Sequence, residues 1–86
     1  MVPFPFWFKQ RQCKAEPAGS DTVLRVSGPN LGEAFLVVEP TASKLWRGAL
    51  RQTADGPEVA ATEAEFPNAR EAWRAAFELY RNHVIV

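Results

Sequence analysis

Turn-forming residues break this chain into short segments between residues 17 and 68. Proline, glycine, asparagine, serine and aspartate cluster at residues 17–21, 27–32, 40–43, 55–57 and 66–68. Glycine adopts the positive φ that many turns require, and proline cannot donate a hydrogen bond to a β-ladder. The breaks therefore predict short strands joined by turns, and a long helix only after residue 68.

The segments between the breaks have the composition of β-strands, and they are residues 22–27, 34–38, 44–53 and 59–66. Residues 34–38 are apolar on both faces, which predicts a central strand that is covered on both sides. In the third segment Trp46, Gly48 and Leu50 alternate with arginines. That alternation predicts one buried face and one exposed face.

Asp55-Gly56-Pro57 predicts a hairpin between the last two strands. A two-residue loop would place Trp46 opposite Glu65 and would mix apolar with charged side chains. An odd-length loop places Arg47 opposite Glu65 and Trp46 opposite Phe66. Because a slip of one residue moves every side chain to the other face, the sequence favours the second register.

The region after Pro67 has the pattern of an amphipathic helix. Asn68 is a good N-cap, and Glu71 follows it with the spacing of a capping box. The apolar residues recur on one face of a 3.6-residue period and are Ala69, Ala72, Trp73, Ala76, Phe77 and Tyr80. Asn82 is predicted to end the helix in the left-handed conformation. The β-branched residues 84–86 have two alternative predictions: they form a short strand, or they pack over the core without forming one.

These elements predict an α+β fold. We predict an antiparallel β-meander of three to four strands, and a fifth strand is possible. One C-terminal amphipathic helix packs on one face of this sheet, which makes a two-layer sandwich. At 86 residues the chain has the size of one domain. We expect residues 17–86 to form that domain. We expect residues 1–16 to be an extended arm, aromatic and basic, or an edge strand.

The composition gives no support to catalysis. The chain has one cysteine, Cys13, and one histidine, His83, so a zinc site or a Cys–His nucleophile is not predicted. No motif for a cofactor is present, and we expect a protein that is not an enzyme and binds neither cofactor nor metal. The sequence contains no apolar run that could span a bilayer and no secretory signal, so a cytoplasmic location is the default expectation.

An aromatic cluster near the N-terminus exceeds the background composition. It comprises Phe4, Phe6, Trp7 and Phe8, with prolines on either side of Phe4. Alternating Pro and Phe favours an extended segment. One interpretation adds an edge strand with Phe6 and Phe8 packed inward, which a small core needs. The other leaves the cluster exposed as an interaction patch, which would also make weak contact with a membrane surface.

Charge is unevenly distributed, although the net charge is zero. Residues 1–52 hold seven basic and four acidic side chains, and residues 53–86 hold three basic and six acidic ones. Arg25, Arg47 and Arg51 are predicted on the open sheet face, where they would form a basic stripe. The simpler interpretation is cross-strand pairing, of Arg47 with Glu65 in particular.

Three strands followed by a helix that begins Phe66-Pro67-Asn68-Ala69 resemble the DNA-binding domains of phage integrases and of one plant transcription-factor family. The resemblance covers only the second half of the chain, and no base-reading motif matches it residue by residue. Because the sequence lacks a catalytic constellation and combines an aromatic N-terminus with a sheet that has open edges, we predict a small binding module that acts through a protein partner or through self-association as a homodimer. The alternative is nucleic-acid binding on the basic face that carries Arg25, Arg47 and Arg51.

Overall fold

The computed structural model of the chain describes residues 4–19, 22–29, 31–53 and 56–85. Its elements are helix α1 (Phe6–Gln10), strands β1 (Lys14–Pro17), β2 (Val23–Gly28), β3 (Leu31–Pro40), β4 (Trp46–Arg51) and β5 (Glu58–Ala61), and helix α2 (Ala69–Tyr80). A π-helical turn, Arg81–Ile85, follows α2 directly. The strands form one antiparallel sheet in the order β1-β2-β3-β4-β5. The predicted α+β meander with one helix packed on it is confirmed, with five strands.

Helix α2 lies across one face of the sheet and packs mainly on β3 and β4. As predicted, residues 34–38 belong to the central strand β3, but α2 covers only one of its two faces. Its Leu36 is the Cα partner of Leu24 on one side and of Leu50 on the other. All three leucines are buried in one cluster with Trp73 and Phe77 of the helix. The sequence therefore assigned the buried face of the sheet correctly.

Gly48 allows the helix to come close to β4. A Cβ built on Gly48 would lie 2.9 Å from the carbonyl oxygen of Ala72 and 3.1 Å from the Cβ of Ala76. These distances leave no room for a side chain, because one of the atoms belongs to the helix backbone. The small residues at these three positions thus set the distance between helix and sheet.

The predicted register between the last two segments is confirmed at one pair and wrong at the next. Trp46 pairs with Phe66 through two backbone hydrogen bonds of 2.7 and 2.8 Å. The regular strand β5 nevertheless ends at Ala61. The Thr62 hydroxyl accepts a hydrogen bond from the Gly48 N–H at 3.1 Å, and residues 63–65 then leave the ladder. Glu65 is exposed and does not pair with Arg47.

Helix α2 begins as the sequence predicts and ends differently. The Asn68 side chain accepts a hydrogen bond from the Glu71 N–H at 2.9 Å. At the other end Arg81 keeps right-handed helical angles, and the chain continues into the π-helical turn. The prediction that Asn82 is a left-handed C-cap is therefore wrong. Residues 84 and 85 belong to this turn rather than to a strand, and Val86 lies outside the described residues.

The N-terminal segment is not extended along its whole length. Residues 6–10 form α1, and Gln12 then adopts a positive φ of 58° that turns the chain into β1. The edge strand next to this segment is β1, which carries none of the aromatic residues, so the interpretation with Phe6 and Phe8 in an edge strand is wrong. Packing against α2 explains the helix, because a helical turn brings Phe8 onto Phe77 and Tyr80.

Candidate functional site

The aromatic cluster is divided between the core and the surface. Phe8 is 3% exposed, and its ring packs edge-on against Phe77 with the two centroids 5.1 Å apart. Trp7 is half-buried, stacks on Tyr80 at 6.4 Å and carries the Arg81 guanidinium 5.9 Å above its ring. Phe8 is thus part of the core, as one interpretation of the sequence had it, and Trp7 packs against that core.

Phe4 and Phe6 stay at the surface. Phe4 is 42% exposed although its ring contacts Phe8 and Phe77, and Phe6 is 76% exposed. Among the residues that the structure describes, one further large hydrophobic residue is exposed, Val59 at 47%. An exposed phenylalanine costs free energy in water unless something covers it, so Phe6 marks a surface of interest.

A groove lies between these two phenylalanines and the outer face of α2. Its volume is about 720 Å³, and we call it the aromatic groove. The aromatic part of its lining comes from Phe4, Phe6 and Phe66, and the charged part from Arg70, Glu71, Arg74 and Glu78. The groove therefore offers ring faces and both signs of charge on one surface.

The arginines along and beside the groove differ in whether they form ion pairs. Arg74 lies 3.7 Å from Glu71, one turn earlier on the helix, and Arg81 lies 3.9 Å from Glu78. Both pairs are long and exposed, so each contributes little to stability. Arg70 makes no ion pair within the described part of the chain. Its guanidinium lines the groove and can donate hydrogen bonds there.

The three predicted arginines lie on the opposite face of the sheet, as their alternation predicts. Arg25 binds the carboxylates of Glu16 on β1 and Glu33 on β3, the latter at 3.0 Å. These residues are neighbours across the sheet, where opposite charges stabilise each other. The positive charge of Arg25 is thus shared between two carboxylates.

Arg47 is likewise held between two carboxylates. It donates to Glu39, its Cα partner on β3, and forms a bidentate pair with Glu58 at 2.9 and 3.0 Å. The pair with Glu58 raises the pKa of Arg47, and the same hydrogen bonds lower the pKa of Glu58 below its ordinary value. The predicted partner Glu65 is replaced because β5 brings Glu58 to this face.

Arg51 is half-buried rather than fully exposed, and it is paired across the sheet with Phe35 and Glu58. Its charge contributes to lowering the pKa of Glu58. Arg51 therefore lies on the predicted open face of the sheet but is only partly exposed there. With Lys14, the described open face carries four cations against four carboxylates, which are Glu16, Glu33, Glu39 and Glu58.

An apolar row crosses the middle of this open face between the charged groups. Val23, Val37, Ala49 and Ala61 are successive Cα partners on β2 to β5. Val37 and Ala49 are buried although they lie outside the main core. Arginine commonly covers apolar positions of this kind with its long aliphatic stem.

Cys13, Tyr80 and His83 are three further side chains with reactive groups. Burial raises the pKa of the half-buried Cys13 thiol, so this thiol is less reactive than an exposed one. Burial also raises the pKa of Tyr80 to about 12. The Tyr80 hydroxyl has no hydrogen-bond partner in the described part of the chain. His83 is exposed in the π-helical turn.

The described residues contain neither a candidate metal site nor a candidate membrane-spanning helix. No three of their histidine, cysteine, aspartate or glutamate side chains lie close enough together to hold a metal ion. None of their helices has the length and apolar character needed to cross a membrane.

The predicted interaction residues thus form two separate surfaces. Phe4 and Phe6 lie beside α2, whereas Arg25, Arg47 and Arg51 lie on the far side of the sheet. Sequence reasoning missed the outer face of α2 as part of the first surface. The signal was present in the spacing of Arg70, Arg74 and Glu78, which lie four residues apart on one helix face.

Comparisons with protein-family models, with curated proteins and with solved structures gave no significant match.

Proposed function

We propose that this chain is a small non-catalytic binding module that acts through protein–protein contact or self-association, with the aromatic groove as its contact surface. The observation that carries the proposal is the 76% exposure of Phe6 beside a groove of about 720 Å³. Contiguous exposed apolar surface next to polar residues is typical of interaction sites in small soluble domains.

The geometry of the groove supports a protein partner in particular. Phenylalanine and arginine are both enriched in the centres of protein interfaces, where water is excluded. Here Phe4 is anchored on Phe8 and Phe77, so its position is fixed before any partner arrives. A surface that is already ordered loses less conformational entropy on binding.

Photo-cross-linking at position 6 tests the proposal. The residue is replaced by p-benzoylphenylalanine, and the protein is irradiated in the cells in which it occurs. Val59 is the matched control, because it is also exposed and apolar but does not line the groove. We expect a discrete covalent protein adduct from position 6 and none from position 59. No adduct from position 6, or the same adducts from both positions, would contradict the proposal.

Nucleic-acid binding on the open sheet face stays the alternative prediction. Its basis is the row of Arg25, Arg47 and Arg51, but two of these arginines are each shared between two glutamates. Phosphate groups would have to displace those carboxylates. An NMR titration with mixed oligonucleotides at low salt, repeated with anionic vesicles, checks this surface, because phosphate contacts must weaken steeply as salt is added.

A further inference from the structure

The aromatic groove specifies the chemistry of what fills it. Exposed ring faces of Phe4 and Phe6 pack best against another aromatic or aliphatic side chain. The guanidinium of Arg70, which has no ion pair within the described residues, calls for a carboxylate. The occupant therefore presents a large apolar side chain and, within one helix length of it, an acidic group.

The same surface carries both of these features. Phe6 is the most exposed of the large hydrophobic residues described, and Glu78 is an exposed carboxylate on the groove wall. We propose that the occupant is a second copy of this chain, related by a two-fold axis, with Phe6 of each copy in the aromatic groove of the other. This inference rests on the proposed function and specifies its partner. A two-fold interface uses one patch twice, so the patch must complement itself.

The order of charges along α2 fits an antiparallel arrangement of two such helices. Arg70 and Glu78 are eight residues apart, which is about 12 Å along a helix that rises 1.5 Å per residue. A two-fold axis near Arg74 brings Arg70 of each copy to Glu78 of the other. At the axis, Arg74 is balanced by its own Glu71 at 3.7 Å. The small neighbour Ala75 leaves room for the helices to approach.

The area that a dimer needs indicates that the helix takes part. A stable interface removes about 600–800 Å² of surface from each partner. The whole chain exposes 5535 Å², so the dimer would cover more than a tenth of it. Two phenylalanine side chains cannot supply that area by themselves, since a large aromatic residue buries about 150–250 Å². The outer face of α2 must supply the rest.

Sedimentation equilibrium over a wide concentration range is the first test. We expect the apparent mass to rise from 9.6 kDa towards twice that value. Phe6→Ser should weaken association at least about tenfold, as the loss of a central aromatic contact does. Val59→Ser is the matched control and should leave association unchanged. Circular dichroism spectra of both variants establish that they are folded.

A charge-exchange experiment tests the antiparallel arrangement. Arg70→Glu and Glu78→Arg should each abolish self-association, because each homodimer then brings two pairs of like charges together. An equal mixture of the two variants should regain a dimer, since every pair then joins an arginine with a glutamate. Both positions are exposed, so neither substitution is expected to unfold the chain.

The outcomes separate this inference from the proposed function. A wild-type chain that stays at 9.6 kDa at every concentration overturns the homodimer. In that case an adduct from position 6 with a different protein still supports a binding module, and its absence contradicts both. If Val59→Ser weakens association as much as Phe6→Ser does, the interface includes the edge strand β5, and this result would also overturn the inference. So would a mixture of charge variants that stays monomeric.

Discussion

Replacement of Gly48 by alanine tests how closely α2 approaches the sheet. The new Cβ would lie 2.9 Å from the Ala72 carbonyl oxygen and 3.1 Å from the Ala76 Cβ. Both contacts are with α2, and the carbonyl oxygen belongs to a backbone fixed by its own hydrogen bonds. It cannot turn aside as the end of a flexible side chain does. The helix must therefore move outward and loosen the packing of Trp73 and Phe77.

The expected magnitude follows from two opposing effects. Forcing an extra methyl group into a packed core costs about 1–3 kcal/mol. Replacing glycine by alanine also restricts the unfolded chain, which favours folding by about 0.4–1 kcal/mol. We therefore expect Gly48→Ala to lower the free energy of unfolding by up to about 2.6 kcal/mol. Without the contact with α2, the same substitution would stabilise the protein.

Urea denaturation followed by circular dichroism measures this change, and each 1 kcal/mol should also lower Tm by about 4–8 °C. Gly56→Ala is the control. Its added Cβ would also meet a close atom, the Thr53 Oγ1, but that hydroxyl ends an exposed side chain that can rotate away. We expect a change within about 0.5 kcal/mol there. If Gly48→Ala is more stable than the wild type, the close approach of helix and strand is refuted.

Three further predictions concern other contacts. Asn68→Ala should cost about 0.5–2 kcal/mol in the same denaturation assay, because α2 loses its N-cap, and Asn68→Asp should not. Arg47→Met should cost about 1–2 kcal/mol. Because Arg47 lowers the pKa of Glu58, wild-type stability should fall as the pH drops below about 4.5, and less so in this variant. Tyr80, the only tyrosine, should titrate by ultraviolet absorbance near pH 12, and stability should fall as the pH rises from about 10 to 12. Titration near pH 10 in the folded protein would show that Tyr80 is not buried.

The open face of the sheet is nearly neutral, which makes it a poor surface for a highly charged partner. Its four described cations and four carboxylates alternate across the strands. Opposite charges across the strands stabilise such a face, but it lacks the unbalanced charge that attracts nucleic acid. The aromatic groove combines exposed rings with an arginine that has no ion pair among the described residues. We therefore consider it the better place to look for a partner.

Local sequence determined the parts of the fold that depend on neighbouring residues. The Asn68 cap, the apolar stripe of α2 and the apolar run of β3 were all predicted, because each is a pattern within one element. The alternation of Trp46, Gly48 and Leu50 also gave the correct buried face. Half of the candidate site could be predicted in the same way, since the aromatic cluster is visible as a run of residues.

Tertiary contacts decided what those patterns leave open. Phe8 is buried and Phe6 is exposed because the two residues lie on opposite sides of α1. Only the side with Phe8 packs on Phe77 and Tyr80. Arg47 forms ion pairs with Glu39 and Glu58 rather than with Glu65. Glu65 is not opposite Arg47, because the Thr62 hydroxyl accepts the Gly48 N–H hydrogen bond and the regular ladder ends there. Each of these outcomes depends on the free energy of contacts between residues distant in the chain. Periodicity determines which face of an element is apolar, but only packing determines which distant residue that face meets.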